Sequence, residues 1–272
     1  MGESAGASSI LHHLVSYGGD KSPPGSPSPA FKRAILQSPA FFPNVKRSQM
    51  EDTYQSFLRE ANVTDFQELQ NARSEDLIRA NSKTTYESPY GYFNYGPVRD
   101  DTFVPAPPAL LLEYGHFWSG KDVMVSYNHA EGLLFTAPWL QTQDTLRKHI
   151  QEAYPAFPTP DLNYAMELYP INKEAAAKQQ VGIASRLLSE FGVDCNAYGV
   201  RNAYPGAFEY HFNLWPGLHG QDANYTFGPQ GGPHREPSSR KTNPSLHHIL
   251  RQTWRSVRSD IGGRSELSSL AP

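Results

Sequence analysis

The sequence has little cysteine, no long apolar run and no marked excess of charge of either sign. Its single cysteine, Cys195, cannot form an intramolecular disulfide, and a small core residue, or a thiol whose partner lies upstream, is a simpler interpretation than a nucleophile. No stretch approaches the roughly 18 consecutive apolar residues of a membrane-spanning helix. The net charge of −3, without a basic aromatic-rich stripe, argues against nucleic acid as a partner. No His, Cys, Asp or Glu group has metal-ligand spacing, so we predict neither a metal nor a cofactor.

The composition is that of a globular protein with long connections. Hydrophobic residues make up 38% of the 272 residues, enough for one sizeable α/β domain. Aromatic residues reach 12%, which favours a packed core and an aromatic-lined pocket. The 23 prolines and 21 glycines predict many loops between the helices and strands.

Hydrophobic patterning predicts strands that alternate with helices along most of the chain. Three strands are predicted, at 31–37, 122–127 and 207–214. Predicted helices cover 7–16, 48–80 (as two helices), 108–113, 145–154, 161–169 and 172–191. This order predicts an α/β fold with a mostly parallel sheet and helices on both faces.

The carboxyl-terminal part of the chain has a different composition. Residues 228–243 are rich in glycine, proline, serine and charge, which is typical of a linker. Residues 244–257 fit a basic amphipathic helix, and 259–272 are expected to be disordered. We therefore predict one α/β domain over 1–235 and a divergent tail over 236–272.

The most informative motif is the pentapeptide Gly2-Glu3-Ser4-Ala5-Gly6. The pattern Gly-x-Ser-x-Gly is typical of a nucleophile elbow, a tight turn from a strand into a helix that exposes the serine hydroxyl. The helix pattern follows as expected, whereas only Met1 precedes the motif. We therefore expect the downstream part of a serine hydrolase, without the strand that supports the serine.

Two further segments with reactive side chains follow predicted strands. Asn128-His-Ala-Glu131-Gly132 comes after strand 122–127, and the stretch containing His219 comes after strand 207–214. The carboxyl ends of parallel strands meet at one edge of a sheet, where ligands and catalytic groups lie. A carboxylate and an imidazole at that edge would supply the acid and the general base that a serine nucleophile requires.

Several segments together resemble the type-B carboxylesterase family of α/β-hydrolases, which includes cholinesterases and fungal extracellular lipases. The elbow is similar to that family's elbow, glutamate before serine included, and Cys195-Asn196 falls where fungal members carry a Cys-Asn pair. The other matching segments, in family order, are Ala34-Ile-Leu-Gln-Ser38, Gly96-Pro-Val-Arg-Asp-Asp-Thr-Phe-Val-Pro105, Glu131-Gly132 with Phe135, and Leu218-His219-Gly220 with Asp222 and Tyr225.

The resemblance implies a carboxylic ester hydrolase with Ser4 as nucleophile, Glu131 as acid and His219 as base. The Ala5 backbone N–H would be one oxyanion donor, and the family's glycine-rich oxyanion loop would lie upstream of this sequence. The implied partner is a small-molecule or lipid ester. A full-length family member would be secreted, and the triplets at Asn62 and Asn224 are glycosylation sequons compatible with secretion.

Alternatives exist for each assignment. A single Gly-x-Ser-x-Gly arises by chance, and Glu3 is another carboxylate, although its position beside the serine gives poor geometry. Competing histidines are His12, His13, His211, His247 and His248. An aromatic set lines either an ester pocket or an ordinary core: Phe41, Phe42, Tyr90, Tyr92, Phe93 and Tyr95. The alternative function is a catalytically incompetent fragment or a non-enzymatic, cholinesterase-like interaction domain.

Overall fold

A computed structural model describes residues 1–40, 47–154 and 157–227. Within these ranges the strands form one parallel sheet in the order β1 (Gly2–Glu3), β2 (Arg33–Gln37), β3 (Asp122–Asn128) and β4 (Phe208–Phe212). Every neighbouring pair is parallel. The predicted α/β class and mostly parallel sheet are therefore confirmed.

The sheet contains one strand more than the three predicted. Gly2 pairs with Leu36 and Glu3 with Gln37, so a strand does lead into Ser4. Our expectation that no strand precedes the serine was wrong. A two-residue strand is too short to show any periodicity in the sequence, and only its pairing with β2 reveals it.

The helices of the described residues fall between and after these strands. They are α1 (Ala5–Val15), α2 (Arg47–Ala61), α3 (Phe66–Asn71), α4 (Ser74–Tyr86), α5 (Pro108–Glu113), α6 (Gln143–Ala153), α7 (Thr159–Leu168), α8 (Ala177–Ser189), α9 (Cys195–Ala203) and α10 (Ala223–Phe227). Single 3₁₀ turns cover Ser16–Lys21 and Glu131–Phe135, and a π turn covers Glu190–Asp194.

Three helical regions differ from the prediction, and one of them, α10, has no predicted counterpart. The stretch 48–80 contains three helices instead of two, because Asp65 caps a short additional helix by accepting a hydrogen bond from the Glu68 N–H at 2.8 Å. The helix predicted over 172–191 begins at Ala177 and continues through the π turn into α9. The sequence of α9 has no strong helical pattern, and burial of Ala197 and Val200 supports that helix instead. Cys195 opens α9 as an exposed free thiol, so it is not a core residue.

Two hydrophobic clusters stabilise the part of the chain that the structure describes. The first joins β2 and β3 to α1, α5 and α9, with Leu11, Leu36 and Val125 fully buried. The second joins α6, α7 and α8 around Leu146, Leu162 and Ala184. The 3₁₀ turn Glu131–Phe135 links β3 of the first cluster to Ala137 of the second, so the packing of both clusters fixes that turn.

The chain divides into two compact units, Met1–His219 and Gly220–Pro272. Of the second unit the structure describes only residues 220–227, where the Asp222 carbonyl accepts bonds from the N–H groups of Tyr225 and Thr226. The predicted linker, tail helix and domain boundary at residue 235 lie outside the described residues. None of the described helices combines the length and apolar character needed to cross a membrane.

Candidate active site

The carboxyl ends of the four strands bring four short connections to one edge of the sheet. Ser4 follows β1, Ser38 follows β2, Glu131 follows β3, and His219 lies in the loop that follows β4. Because all neighbouring strands are parallel, these connections lie on the same side. The sheet thus gathers residues from distant parts of the sequence.

Ser4 occupies a strained backbone conformation with φ 53° and ψ −119°. Its N–H donates to the Gln37 carbonyl at 2.9 Å, which fixes the turn against β2. A side chain on Gly2 would place its Cβ only 2.4 Å from the backbone carbon of Gly6, so the turn requires glycine at this position. At Gly6, by contrast, a Cβ would meet nothing within 4 Å. The sequence pattern treats these two glycines alike, whereas the structure does not.

Glu131 is a fully buried carboxylate with hydrogen bonds to both oxygens. Its Oε1 accepts from the Ser38 hydroxyl at 2.6 Å and from the Asn128 N–H at 2.5 Å. Its Oε2 faces Nδ1 of His219 at 2.5 Å. Donors of this kind compensate a buried carboxylate for the loss of the surrounding water.

The imidazole of His219 lies between the carboxylate and the serine. Its Nε2 is 2.7 Å from Ser4 Oγ, and its Nδ1 is directed to Glu131. With Glu131 ionised, Nδ1 must carry the proton and donate it to Oε2, which leaves Nε2 free to accept the serine proton. The ring of Phe135 packs edge-on against the imidazole with centroids 5.0 Å apart, and the His219 side chain is only 9% exposed.

The loops that carry Glu131 and His219 are joined to each other. Ala130 and Leu218 form a parallel bridge, and the Ala130 N–H donates to the Gly217 carbonyl at 2.7 Å. The Asn128 side chain adds a bond to the Leu218 carbonyl at 3.0 Å. The separation of carboxylate and imidazole is therefore set by backbone pairing as well as by side chains.

The loop that follows β3 and carries Glu131 is called the acid loop. Helix α8 supports this loop from the other side. The Gly132 N–H donates to Ser189 Oγ at 2.7 Å, and a Cβ on Gly132 would lie 2.1 Å from the Ser185 carbonyl oxygen. A glycine is needed here because the helix backbone approaches so closely. The Gly after Glu131 in the sequence pattern therefore has a packing reason.

The three residues predicted for the triad form a chain of two contacts, 2.7 Å from Ser4 Oγ to His219 Nε2 and 2.5 Å from His219 Nδ1 to Glu131 Oε2. Ala5 is the first residue of α1, so its N–H is among the first four that have no acceptor within the helix. Glu3 Oε1 lies 3.7 Å from His219 Nε2, which is the nitrogen facing the serine, whereas an acid must face Nδ1.

The described competing histidines lie elsewhere. His12 is buried in α1 with Nδ1 donating to the Ser8 carbonyl at 2.7 Å, and burial lowers the pKa of its imidazole. His211 is stacked on Tyr127 with centroids 4.6 Å apart, and burial also lowers its pKa. His13 packs edge-on against Phe103. His247 and His248 lie outside the described residues.

Sequence reasoning assigned no role to Ser38, which donates to Glu131. It ends a motif that we had matched as a whole, and it directly follows a predicted strand at the same sheet edge as the triad. This position after a strand is the feature of the sequence that could have indicated a role for Ser38. Its φ of 50°, uncommon outside glycine, is visible only in the structure.

The predicted aromatic set separates into different surroundings. The ring of Phe93 packs edge-on against Phe135 at 5.5 Å and so extends the aromatic contact that begins at His219. Tyr92 packs on Tyr154 of the second core, and Tyr95 packs on Phe57 of α2. Tyr90 packs on Trp139. Phe41 and Phe42 lie outside the described residues.

The parallel sheet, the tight turn at Ser4 and the helix that follows it define an α/β-hydrolase-like fold. The chain superimposes on the crystal structure of Aspergillus niger EstA with a TM-score of 0.66 and 22% identity, covering 88% of this chain and 49% of that one. More specifically, the model of the Carboxylesterase family matches residues 1–190, and the chain belongs to that family.

Similar sequences carry related names. Carboxylesterase patB of Aspergillus clavatus is 29% identical over 264 residues, which cover 95% of this chain and 46% of that protein. A secreted lipase of Arthroderma benhamiae is 25% identical over 227 residues, which cover 81% of this chain and 42% of that protein. The chain thus spans less than half the length of these relatives.

Proposed function

We propose that this chain carries the catalytic residues of a carboxylic ester hydrolase that acts through a Ser4–His219–Glu131 triad. The observation that carries the proposal is the pair of contacts on one imidazole, 2.7 Å from Nε2 to Ser4 Oγ and 2.5 Å from Nδ1 to Glu131 Oε2. Family membership supports ester hydrolysis as the reaction class.

The mechanism follows from the geometry of the three side chains. As Ser4 Oγ attacks the ester carbonyl, His219 Nε2 takes the hydroxyl proton and then delivers it to the leaving alkoxide. Glu131 stabilises the resulting imidazolium and holds the tautomer that the reaction requires. Water, activated by the same imidazole, releases the carboxylic acid from the acyl-enzyme. The Ala5 N–H, at the positive end of α1, is the proposed oxyanion donor in this chain.

The proposed substrates are uncharged or apolar esters, either small molecules or lipids. Phe93 and Phe135 form an aromatic wall beside His219, and the neighbouring Leu133 and Leu134 are 44% and 50% exposed. These side chains offer apolar contacts to an acyl or alcohol group. For the full-length family member we propose secretion, which the name of the Arthroderma benhamiae lipase and the sequon at the exposed Asn62 support.

A fluorophosphonate probe tests the proposal directly, because it reacts only with an activated serine. We expect labelling of Ser4 in the purified chain, and none in Ser4→Ala or His219→Ala of equal circular dichroism. A Ser9→Ala variant, which alters an exposed serine of α1, should label normally. Absence of labelling in folded wild-type protein would contradict catalysis by this chain and favour a non-enzymatic fragment. A series of p-nitrophenyl esters from acetate to decanoate then separates short-chain esterase activity from lipase-like preference.

A further inference from the structure

A carboxyl group in the helical segment that packs against the Glu131 loop has, among the described residues, no hydrogen-bond partner for one of its oxygens. Asp194 ends the π turn Glu190–Asp194, which interrupts the helical segment between α8 and α9. Its Oδ1 is buried and, among the described residues, accepts no hydrogen bond. An unsatisfied buried oxygen costs free energy, and π turns are found frequently at functional sites. Asp194 therefore needs an explanation that packing alone does not give.

The π turn is attached on both sides to the loops that hold Glu131. Immediately before it, Ser189 Oγ accepts the N–H of Gly132, the neighbour of Glu131, at 2.7 Å. Just after it, Asn196 Nδ2 donates to the Pro39 carbonyl at 3.0 Å, one residue beyond Ser38. The turn thus packs against the acid loop and against the connection that supplies a donor to Glu131.

The two carboxyl groups have opposite surroundings. Glu131 accepts hydrogen bonds on both oxygens, whereas Asp194 Oδ1 accepts none from the described residues, which favours the protonated form of Asp194. A proton retained in this region is therefore assigned to Asp194.

Electrostatics support the same assignment. Burial, followed by the charges of Glu131 and Glu190, raises the pKa of Asp194 to about 7. Four titratable groups interact electrostatically with Asp194. They are Glu131 of the acid loop, Tyr127 of β3, Glu190 at the start of the same turn, and Cys195, the next residue in the chain. Glu190 is paired with Arg186 at 2.9 Å, so its charge is partly compensated.

We propose that Asp194 is a positioning residue of the triad, a proton-holding carboxyl group whose ionisation adds a second negative charge near Glu131 and so strengthens its hold on the His219 imidazolium. This proposal rests on the proposed function and extends it to the regulation of the same site. When Asp194 ionises, its proton passes to solvent and the imidazolium becomes easier to form. The strength of the base would then rise over the pH range in which Asp194 titrates.

The decisive measurement is the titration of the His219 imidazole by NMR in protein labelled with ¹⁵N-histidine. The His219→Gln spectrum identifies the resonance. In Asp194→Asn we expect the pKa of His219 to fall by several tenths and a second inflection near neutral pH to disappear. Glu190→Gln is the comparison variant: because the charge of Glu190 raises the pKa of Asp194, its removal should keep the second inflection and move it to lower pH, whereas Asp194→Asn abolishes it. Identical curves for wild type and Asp194→Asn would overturn the proposal.

The pH dependence of stability separates this role from a merely structural one. A carboxyl group whose pKa is raised on folding stabilises the folded state below its ordinary pKa, and that contribution is lost as pH rises through about 7. Wild type should therefore lose stability relative to Asp194→Asn as pH rises from about 4 to about 7, and the difference between the two should stay constant above that range. A variant that is destabilised equally at every pH, with an unchanged His219 titration, would assign Asp194 to packing alone.

Fluorophosphonate kinetics connect the proposal to the reaction. The pH profile of Ser4 labelling should shift to lower pH in Asp194→Asn, and it should not shift in that direction in Glu190→Gln. If wild-type protein does not label at all, the proposed function fails, and the NMR titration still decides the coupling between Asp194 and His219. A shifted His219 titration with an unshifted labelling profile would contradict the regulatory part of the proposal.

Discussion

The nucleophile side and the acid side of the proposed triad are built by different means. Ser4 is placed by its backbone, through a positive φ, a bond from its N–H to Gln37, and a glycine that makes room for the turn. Glu131 is placed by hydrogen bonds from Ser38 and Asn128 within a fully buried setting. A strained backbone requires small residues at fixed positions, and such residues can be recognised in a sequence. A buried hydrogen bond such as that from Ser38 to Glu131 joins residues far apart in the chain, and a sequence does not reveal that they meet.

Replacement of the acid should have the largest effect on activity. In Glu131→Gln, the side-chain oxygen can still accept from Ser38 and Asn128, which leaves the NH₂ group facing His219 Nδ1. The imidazole would then carry its proton on Nε2 and could no longer accept the proton of Ser4. We expect the rate of ester hydrolysis or fluorophosphonate labelling to fall by roughly 10⁴-fold, the order found when a triad acid is replaced by its amide.

The control is to show that this variant folds as the wild type does, which is expected because Gln has nearly the same volume as Glu. The circular dichroism spectrum should be unchanged and the melting temperature should remain close to that of wild type. A Glu3→Gln variant tests the neighbouring carboxylate, 3.7 Å from His219 Nε2, and should lose far less activity. Equal losses in the two variants would mean that Glu131 is not the acid.

On the nucleophile side, the two glycines of the elbow should respond in opposite ways. Gly2→Ala places a Cβ 2.4 Å from the Gly6 carbon and 2.8 Å from the Ala7 nitrogen, both backbone atoms that cannot move independently. We expect a loss of about 3 kcal/mol in unfolding free energy, or misplacement of Ser4 with loss of labelling. Gly6→Ala meets nothing within 4 Å in the first turn of α1, and should be neutral or stabilise by up to about 1 kcal/mol.

Urea denaturation of both variants, with labelling measured on the folded protein, distinguishes these expectations. The contrast between the two positions matters more than either value, because a sequence pattern alone treats them as equivalent. If Gly6→Ala were as damaging as Gly2→Ala, the steric account of the turn would be wrong.

What the sequence predicted follows the same division between backbone and side-chain contacts. The apolar runs of β2 and β3 revealed those strands because both faces of each are covered, and the small residues around Ser4 revealed the elbow. The two-residue β1 and the continuation of α8 into α9 escaped prediction, since pairing with β2 and burial of Ala197 and Val200 determine them. Neither strand pairing nor burial of this kind produces a recognisable periodicity in the local sequence.

The candidate site shows the same limit. Ser4, Glu131 and His219 were predicted because each lies in a motif at the end of a strand. Ser38 and Asp194 were not, because their significance depends on what lies opposite them in space. For Asp194 that is the absence, among the described residues, of any donor to Oδ1. For Ser38 it is a single carboxylate oxygen, 93 residues away in the chain.

The smallest of these effects is expected at Ser38. Ser38→Ala removes one of the two donors to Glu131 Oε1 and leaves the Asn128 N–H in place. A buried hydrogen bond to a charged group contributes about 1.5–3 kcal/mol, so we expect a comparable loss of stability. Only part of that loss should appear in the reaction, as a decrease of roughly tenfold in kcat, because the remaining hydrogen bonds still hold Glu131 in place. KM should change little, since Ser38 is fully buried and does not reach the substrate side.

A second substitution at the same position separates the hydroxyl from the backbone. Ser38 has a φ of 50°, which glycine adopts without strain, so Ser38→Gly relieves any backbone cost while it also removes the hydroxyl. If the bond to Glu131 determines the rate, Ser38→Ala and Ser38→Gly should lose similar activity, although the glycine variant is the more stable of the two. Recovery of kcat in Ser38→Gly would instead show that backbone conformation, and not the hydrogen bond, places Glu131. The acid would then be positioned in the same way as Ser4, and the proposed difference between the two sides would be wrong.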